Sequence, residues 1–169
     1  MFYQTVDLKA DLKNVTAAAY KSQNLFIGGE KGDISLLKLA DNGKANFVWN
    51  IKIGGKISSL TTTEQGVLVT SFDNFVYLIN QNNGKKIWKK RLSGRLLFKP
   101  LVIESEKLLV VVENDTAYFI GLENSKLLNR ITLPAGEYFT NTPVLLSGRY
   151  IFQTNSGLIS FSDSDKDCS

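Results

Sequence analysis

Gly66-Val67-Leu68-Val69-Thr70-Ser71 runs into Phe72-Asp73-Asn74, then Phe75-Val76-Tyr77-Leu78-Ile79-Asn80, then Asn83-Gly84-Lys85-Lys86-Ile87-Trp88. This is an apolar strand, an Asp/Asn turn, a second strand, a Gly-containing turn and a third strand that ends on an aromatic residue. The same order recurs along the chain. Its turn column reads Lys31, Asp73, Asn114 and Asn155, at intervals of 42, 41 and 41 residues. A period in this range, built only of strands, is the signature of propeller blades.

Working outward from that copy, blade one takes Val15–Tyr20 as its inner strand, then Asn24–Gly29, Asp33–Leu39 and an outer strand Phe47–Ile53. Blade two opens at Gly55–Leu60 and closes at Leu92. Blade three runs from Gly94 to Leu133, with Lys107–Val112 and Thr116–Ile120 as its middle pair. Blade four begins near Gly136 and supplies Thr142–Leu145, Arg149–Gln153 and Leu158–Phe161. The middle strands are near-continuous apolar runs, as expected where both faces of a sheet are covered. Asp73-Asn74, Asn114-Asp115 and Asn155-Ser156-Gly157 tolerate the left-handed conformation that tight hairpins need. No segment holds a helical period, so the class is all-β. Residues 1–162 are assigned to blades and 163–169 to a polar tail.

Two defects in the pattern complement each other. Blade four has no outer strand, and Phe2-Tyr3-Gln4-Thr5-Val6-Asp7-Leu8 reads as an outer strand without a blade. An unpaired strand edge invites pairing. Phe2–Leu8 is therefore expected against Leu158–Phe161, within one molecule or across a homodimer. Three architectures follow: a closed small ring of four blades, half of an eight-bladed ring completed by a second chain, or a fragment of a longer propeller.

Composition narrows the chemistry. In 169 residues, 43% are hydrophobic and 21% charged, which is ordinary for a globular protein. No run of about 18 apolar residues exists, so no helix that crosses a membrane is expected and no direct membrane insertion. The start lacks the basic and apolar regions of a signal peptide. There is no histidine, which removes the commonest general base and transition-metal ligand. The single cysteine, Cys168, lies in the tail, where an incidental thiol is expected. Net charge is +4, and it is concentrated: Lys85, Lys86, Lys89, Lys90, Arg91, Arg95 and Lys99 fall together with no acid among them. Such a stripe steers anionic partners or guards an outer edge strand against other chains. The second reading is favoured here, and nucleic acid is not expected as a partner.

The stretch Val76–Lys89, with Asn80, Gly84-Lys85 and Trp88 in place, resembles the repeat of PQQ-like β-propellers. Asp41-Asn42-Gly43-Lys44 with Trp49 is a looser copy. Blade three departs, with Ser125-Lys126 for Gly-Lys and Asn129 for Trp. The resemblance implies that the Trp docks between adjacent blades and that the Gly permits the turn before the outer strand, so Trp88 is expected to be largely buried. Catalytic members, the quinoprotein dehydrogenases, are implied to bind pyrroloquinoline quinone and calcium through a vicinal Cys pair, a calcium site and a catalytic Asp. None of these is matched here. Non-catalytic members are similar to the periplasmic lipoprotein of the outer-membrane β-barrel assembly machine, and others are sensor domains. The resemblance, and not any leader in the chain, points to the periplasm.

The remaining motifs have structural readings. Gly28-Gly29-Glu30-Lys31-Gly32-Asp33 would need a following helix to cradle phosphate, but Ile34–Leu37 continues as a strand. Asp73, Glu113 and Asp115 occupy turns where polar residues are expected. Asn14-Val15-Thr16 and Asn114-Asp115-Thr116 match the glycosylation pattern, as chance allows. Tyr138-Phe139 and Leu97-Phe98 are core residues or exposed partner anchors. No catalytic, cofactor-binding or metal residue is assigned, and no cofactor. The expected function is a non-catalytic scaffold for a protein partner, in outer-membrane protein assembly by resemblance. The alternatives are a fragment of a PQQ-dependent dehydrogenase and the sensor domain of a membrane receptor.

Overall fold

The structure is a computed structural model that describes residues 14–41 and 44–162. The proposed strand Phe2–Leu8, the turn residues Asn42 and Gly43, and the tail with Cys168 lie outside the described residues. Two compact units divide between Lys99 and Pro100. All regular structure in the described residues is antiparallel strand.

The first unit holds two four-stranded sheets in meander order. Blade one is β1 (Val15–Lys21), β2 (Asn24–Gly29), β3 (Asp33–Leu39) and β4 (Ala45–Lys52). Blade two is β5 (Ile57–Thr62), β6 (Val67–Ser71), β7 (Phe75–Ile79) and β8 (Lys86–Arg91). Every residue of β6 is buried, so its two faces are both covered, as the apolar run Val67-Leu68-Val69 requires, and the polar Thr70 and Ser71 are buried with it. Phe26, Ile34, Leu36 and Trp49 of blade one share one core with Leu60, Val67, Val69, Tyr77 and Ile79 of blade two. Each such fully buried side chain contributes about 1.5–3 kcal/mol.

The second unit holds blade three, β9 (Leu101–Ile103), β10 (Lys107–Val111), β11 (Thr116–Gly121) and β12 (Leu127–Thr132), and the three strands of blade four. These are β13 (Val144–Leu146), β14 (Arg149–Thr154) and β15 (Gly157–Ser162). Aromatic residues fill this unit: Phe119 meets Tyr150 edge-on at 5.1 Å, and Phe152 meets Phe139 at 5.2 Å and Phe161 at 5.7 Å. The inner strands are later and shorter than the sequence suggests. Residues 94–100 carry no strand, and Leu101–Ile103 alone pairs with β10.

Three blades repeat one set of backbone ties. After each outer strand, an apolar residue donates its amide back to the hairpin turn: Ile53 to Gly32 (2.9 Å), Leu92 to Asn74 (2.9 Å) and Leu133 to Asp115 (2.8 Å). All three side chains are buried. Each outer strand also carries a register shift, opposite Leu36/Leu37, Leu78/Ile79 and Phe119/Ile120. A bulge re-aims the residues beyond it. Here it sets Trp49 opposite Leu36 on the core face. In blade three the turn before β12 keeps the blade-two geometry despite the lost glycine. Gly84 and Ser125 donate to the carbonyls of Asn80 and Gly121 at 2.9 and 3.0 Å, with φ of +71° and +56°.

Candidate interaction surface

The turn carboxylates serve the hairpins. Asp73 accepts the Phe75 amide at 3.1 Å and the Tyr77 hydroxyl at 2.5 Å. Burial, and then the hydrogen bond and charge of Asp73, hold the Tyr77 hydroxyl well above its ordinary pKa. Asp115 accepts from the Thr116 hydroxyl at 2.8 Å, and Glu113 is exposed. Asp73 belongs to the first unit, and Glu113 and Asp115 to the second. Among the described residues, no group of three or more His, Cys, Asp and Glu side chains is arranged to hold a metal ion.

The glycine-rich stretch is a hairpin between β2 and β3, as its sequence predicts. The aromatic candidates divide: Tyr138 and Leu97 are exposed, Phe98 is half-buried, and Phe139 is buried against Phe152. At Asn14 the side-chain amide donates to Glu30, and the Thr16 hydroxyl donates to the Ile57 carbonyl at 2.7 Å, tying blade one to blade two. Trp49, and not Trp88, is the buried tryptophan. Its indole N–H donates to the Gln81 carbonyl at 3.0 Å, whereas Trp88 is half-buried.

The basic residues concentrate on β8. This strand ends its sheet, so one edge of its backbone has no strand beside it among the described residues. Lys85, Lys86, Lys89 and Arg91 are exposed, and Lys90 is half-buried. Register places Lys89 opposite Tyr77 and Arg91 opposite Phe75. The Lys86 ammonium lies 5.6 Å from the Tyr77 ring centre and that of Lys89 lies 5.3 Å from the Phe75 ring. Cation–π contact of this kind steadies the side chains without neutralising them.

Two apolar features escape a reading of the sequence. The residues skipped by the outer-strand bulges are Val48, Ile87 and Leu128, exposed by 45, 47 and 48%. On blade four, Val144 pairs with Ile151 and Leu158 with Gln153, on the face turned away from Tyr150 and Phe152. Val144, Leu146 and Leu158 on that face are 59, 62 and 74% exposed.

The chain is similar to BamB from Moraxella catarrhalis, with a TM-score of 0.74 at 14% identity over 87% of this chain and 48% of that one. It is similar to the computationally designed Ika4 protein, with a TM-score of 0.79 at 12% identity over 96% of this chain and 99% of that one. The designed Ika8 protein gives 0.74 at 12% identity, over 93% of this chain and 48% of that one. The fold is that of a β-propeller. The chain spans about half the length of BamB and of Ika8, and the whole of Ika4. No family model matches it, and no curated protein does. Likeness at these identities establishes the fold of the blades and leaves the partner to other observations.

Proposed function

We propose that this chain is a non-catalytic propeller scaffold that binds a protein partner, in the periplasm and in the service of outer-membrane β-barrel assembly. The observation that carries the proposal is how the polar turn residues are used. Asp73, Asn80 and Asn83 hold their own hairpins, Asp73 through Phe75 and Tyr77, Asn80 through the amides of Asn82 and Asn83, and Asn83 through that of Lys85. The surface that remains for a ligand is a cationic strand and exposed aliphatic side chains, which suit a macromolecule. Rigid blades hold such surfaces in fixed positions. The likeness to BamB supports the scaffold role and supplies the assembly context.

A photo-cross-linking side chain at exposed Tyr138 or Ile87, introduced in the source cells, tests this. The expected product is one defined protein adduct, recovered in step with the chain. Turnover of an alcohol or sugar by the purified chain with pyrroloquinoline quinone and calcium would instead assign it to the dehydrogenases.

A second copy of the chain is the proposed cover for the outward face of blade four. Val144, Leu146 and Leu158 form an exposed aliphatic surface there. The match to all of Ika4 but half of Ika8 and BamB makes two copies equal in length to one large ring.

A further inference from the structure

We propose that the open edge of β8 takes up an extended acidic segment of a partner protein, added as a fifth strand to blade two. The inference rests on the scaffold function above and names the chemistry of its partner.

The charge on β8 exceeds what protection of an edge strand requires. β4, β8 and β12 are the equivalent outer strands of three blades, each pairing with the third strand of its sheet and each carrying the same bulge. Guarding against stray pairing is a need common to all three. Yet β4 carries one cation, Lys52, which has Asp33 at 4.0 Å, and β12 carries one, Arg130. β8 itself carries four, Lys86, Lys89, Lys90 and Arg91, and each of the three strands is preceded by one further lysine, Lys44, Lys85 and Lys126.

Nothing nearby in the sequence offsets them. Between Glu64 and Glu104 the one acidic residue is Asp73, and both of its oxygens are occupied by Tyr77 and Phe75. Concentrated charge of one sign steers an oppositely charged ligand and discriminates among partners. Lys86 and Lys89 are already settled over aromatic rings, so less side-chain freedom is lost when a carboxylate meets them.

The shape of the site selects a peptide. The free edge of a strand offers alternating amide donors and carbonyl acceptors, which a second extended backbone satisfies in full. The phosphodiester backbone of a nucleic acid brings acceptors without the regularly spaced N–H donors that would meet the β8 carbonyls. An added strand places alternate side chains on each face, where acidic residues reach Lys86, Lys89 and Arg91 on one side and Lys90 on the other.

Fluorescence anisotropy on the full chain tests this. The probe is an extended peptide of alternating Glu and Val, and the control carries Gln for Glu. The acidic peptide is expected to bind at least about tenfold tighter than the control, and to weaken sharply at about 0.5 M salt, where charges are screened. The K86Q/K89Q/R91Q variant is expected to lose about tenfold in affinity with an unchanged thermal transition. K85Q/K90Q serves as a second variant should the first be unstable. N-methylation of alternate peptide amides, which removes strand pairing and keeps the charge, is expected to abolish binding. Equal binding of the Gln peptide, or of the N-methylated one, overturns the proposal, as does tighter binding of a single-stranded oligonucleotide of the same charge. A Tyr138 or Ile87 adduct that persists while the acidic peptide fails removes this inference and leaves the scaffold function standing.

Discussion

Trp49 lies on Gly84. Its indole donates to the Gln81 carbonyl at 3.0 Å, and a Cβ at Gly84 would stand 3.1 Å from two ring carbons of Trp49 and 2.9 Å from Ile51. The outer strand of blade one is thereby fastened to the outer turn of blade two. Replacement of Trp49 by Ala is expected to destabilise the first unit by about 3–5 kcal/mol. Replacement by Phe keeps most of the ring and loses the hydrogen bond, at about 1–2 kcal/mol. Denaturant titration of each variant measures both. Half-buried Trp88 should tolerate the Ala change better than Trp49.

Gly84 carries two constraints, and a second glycine separates them. Its φ is +71°, and Trp49 and Ile51 fill the space a side chain would take. Gly136 has φ of +86° with nothing within 4 Å of its Cβ position. Gly136→Ala therefore reports backbone strain alone, about 1–2 kcal/mol. Gly84→Ala adds the displacement of Trp49 and is expected to cost clearly more by denaturant titration. Equal losses would mean that the docking of Trp49 adapts freely.

Tyr77 makes stability fall in alkali. Its hydroxyl titrates higher folded than unfolded, because of burial and of Asp73. Below the unfolded value of about 10 both states keep the proton and the contribution is fully present. Above it the unfolded chain releases its proton first, so stability declines as pH rises towards the folded value. Tyr77→Phe is expected to be less stable at pH 7, through the lost bond to Asp73, and to show a shallower decline above about pH 10. Parallel curves for the two proteins would remove Tyr77 as the source.

The exposed face of blade four is the surface proposed to meet a second copy. Sedimentation of the chain is expected to show a dimer, and Leu146→Glu with Leu158→Glu to give a folded monomer. A monomer that both proteins share, at high concentration, would contradict the second-copy cover.

Much of this molecule is legible in its residues, and the exceptions have physical causes. The β6 and β7 hairpin stands where its near-continuous apolar runs and its Asp-Asn turn put it, because both faces of these strands are covered. Trp88 sits in the better repeat motif, yet Trp49 is the buried residue. What buries Trp49 is Gly84 and Gln81 of the next repeat, and a motif confined to one repeat does not contain that information. Ser125 is a poor letter in the motif, yet it adopts the same turn, since Asn124 accepts the Lys126 amide there at 2.9 Å as Asn83 does for Lys85. The first strand of blade four begins at Val144, two residues after the expected Thr142, and that of blade three at Leu101, seven residues after the expected start of the blade at Gly94. The basic stripe was plain in sequence. Its contrast with the equivalent strands β4 and β12, and the engagement of Asp73 by Tyr77 and Phe75, emerge only from strand order and hydrogen bonding.

The non-catalytic character of the scaffold is the claim on which the rest depends, and titration calorimetry of the full chain with pyrroloquinoline quinone and calcium tests it most directly. No saturable heat is expected from either ligand, alone or together. Stoichiometric binding at about micromolar affinity, equivalent to about 8 kcal/mol, would contradict it and return a quinoprotein activity to this chain.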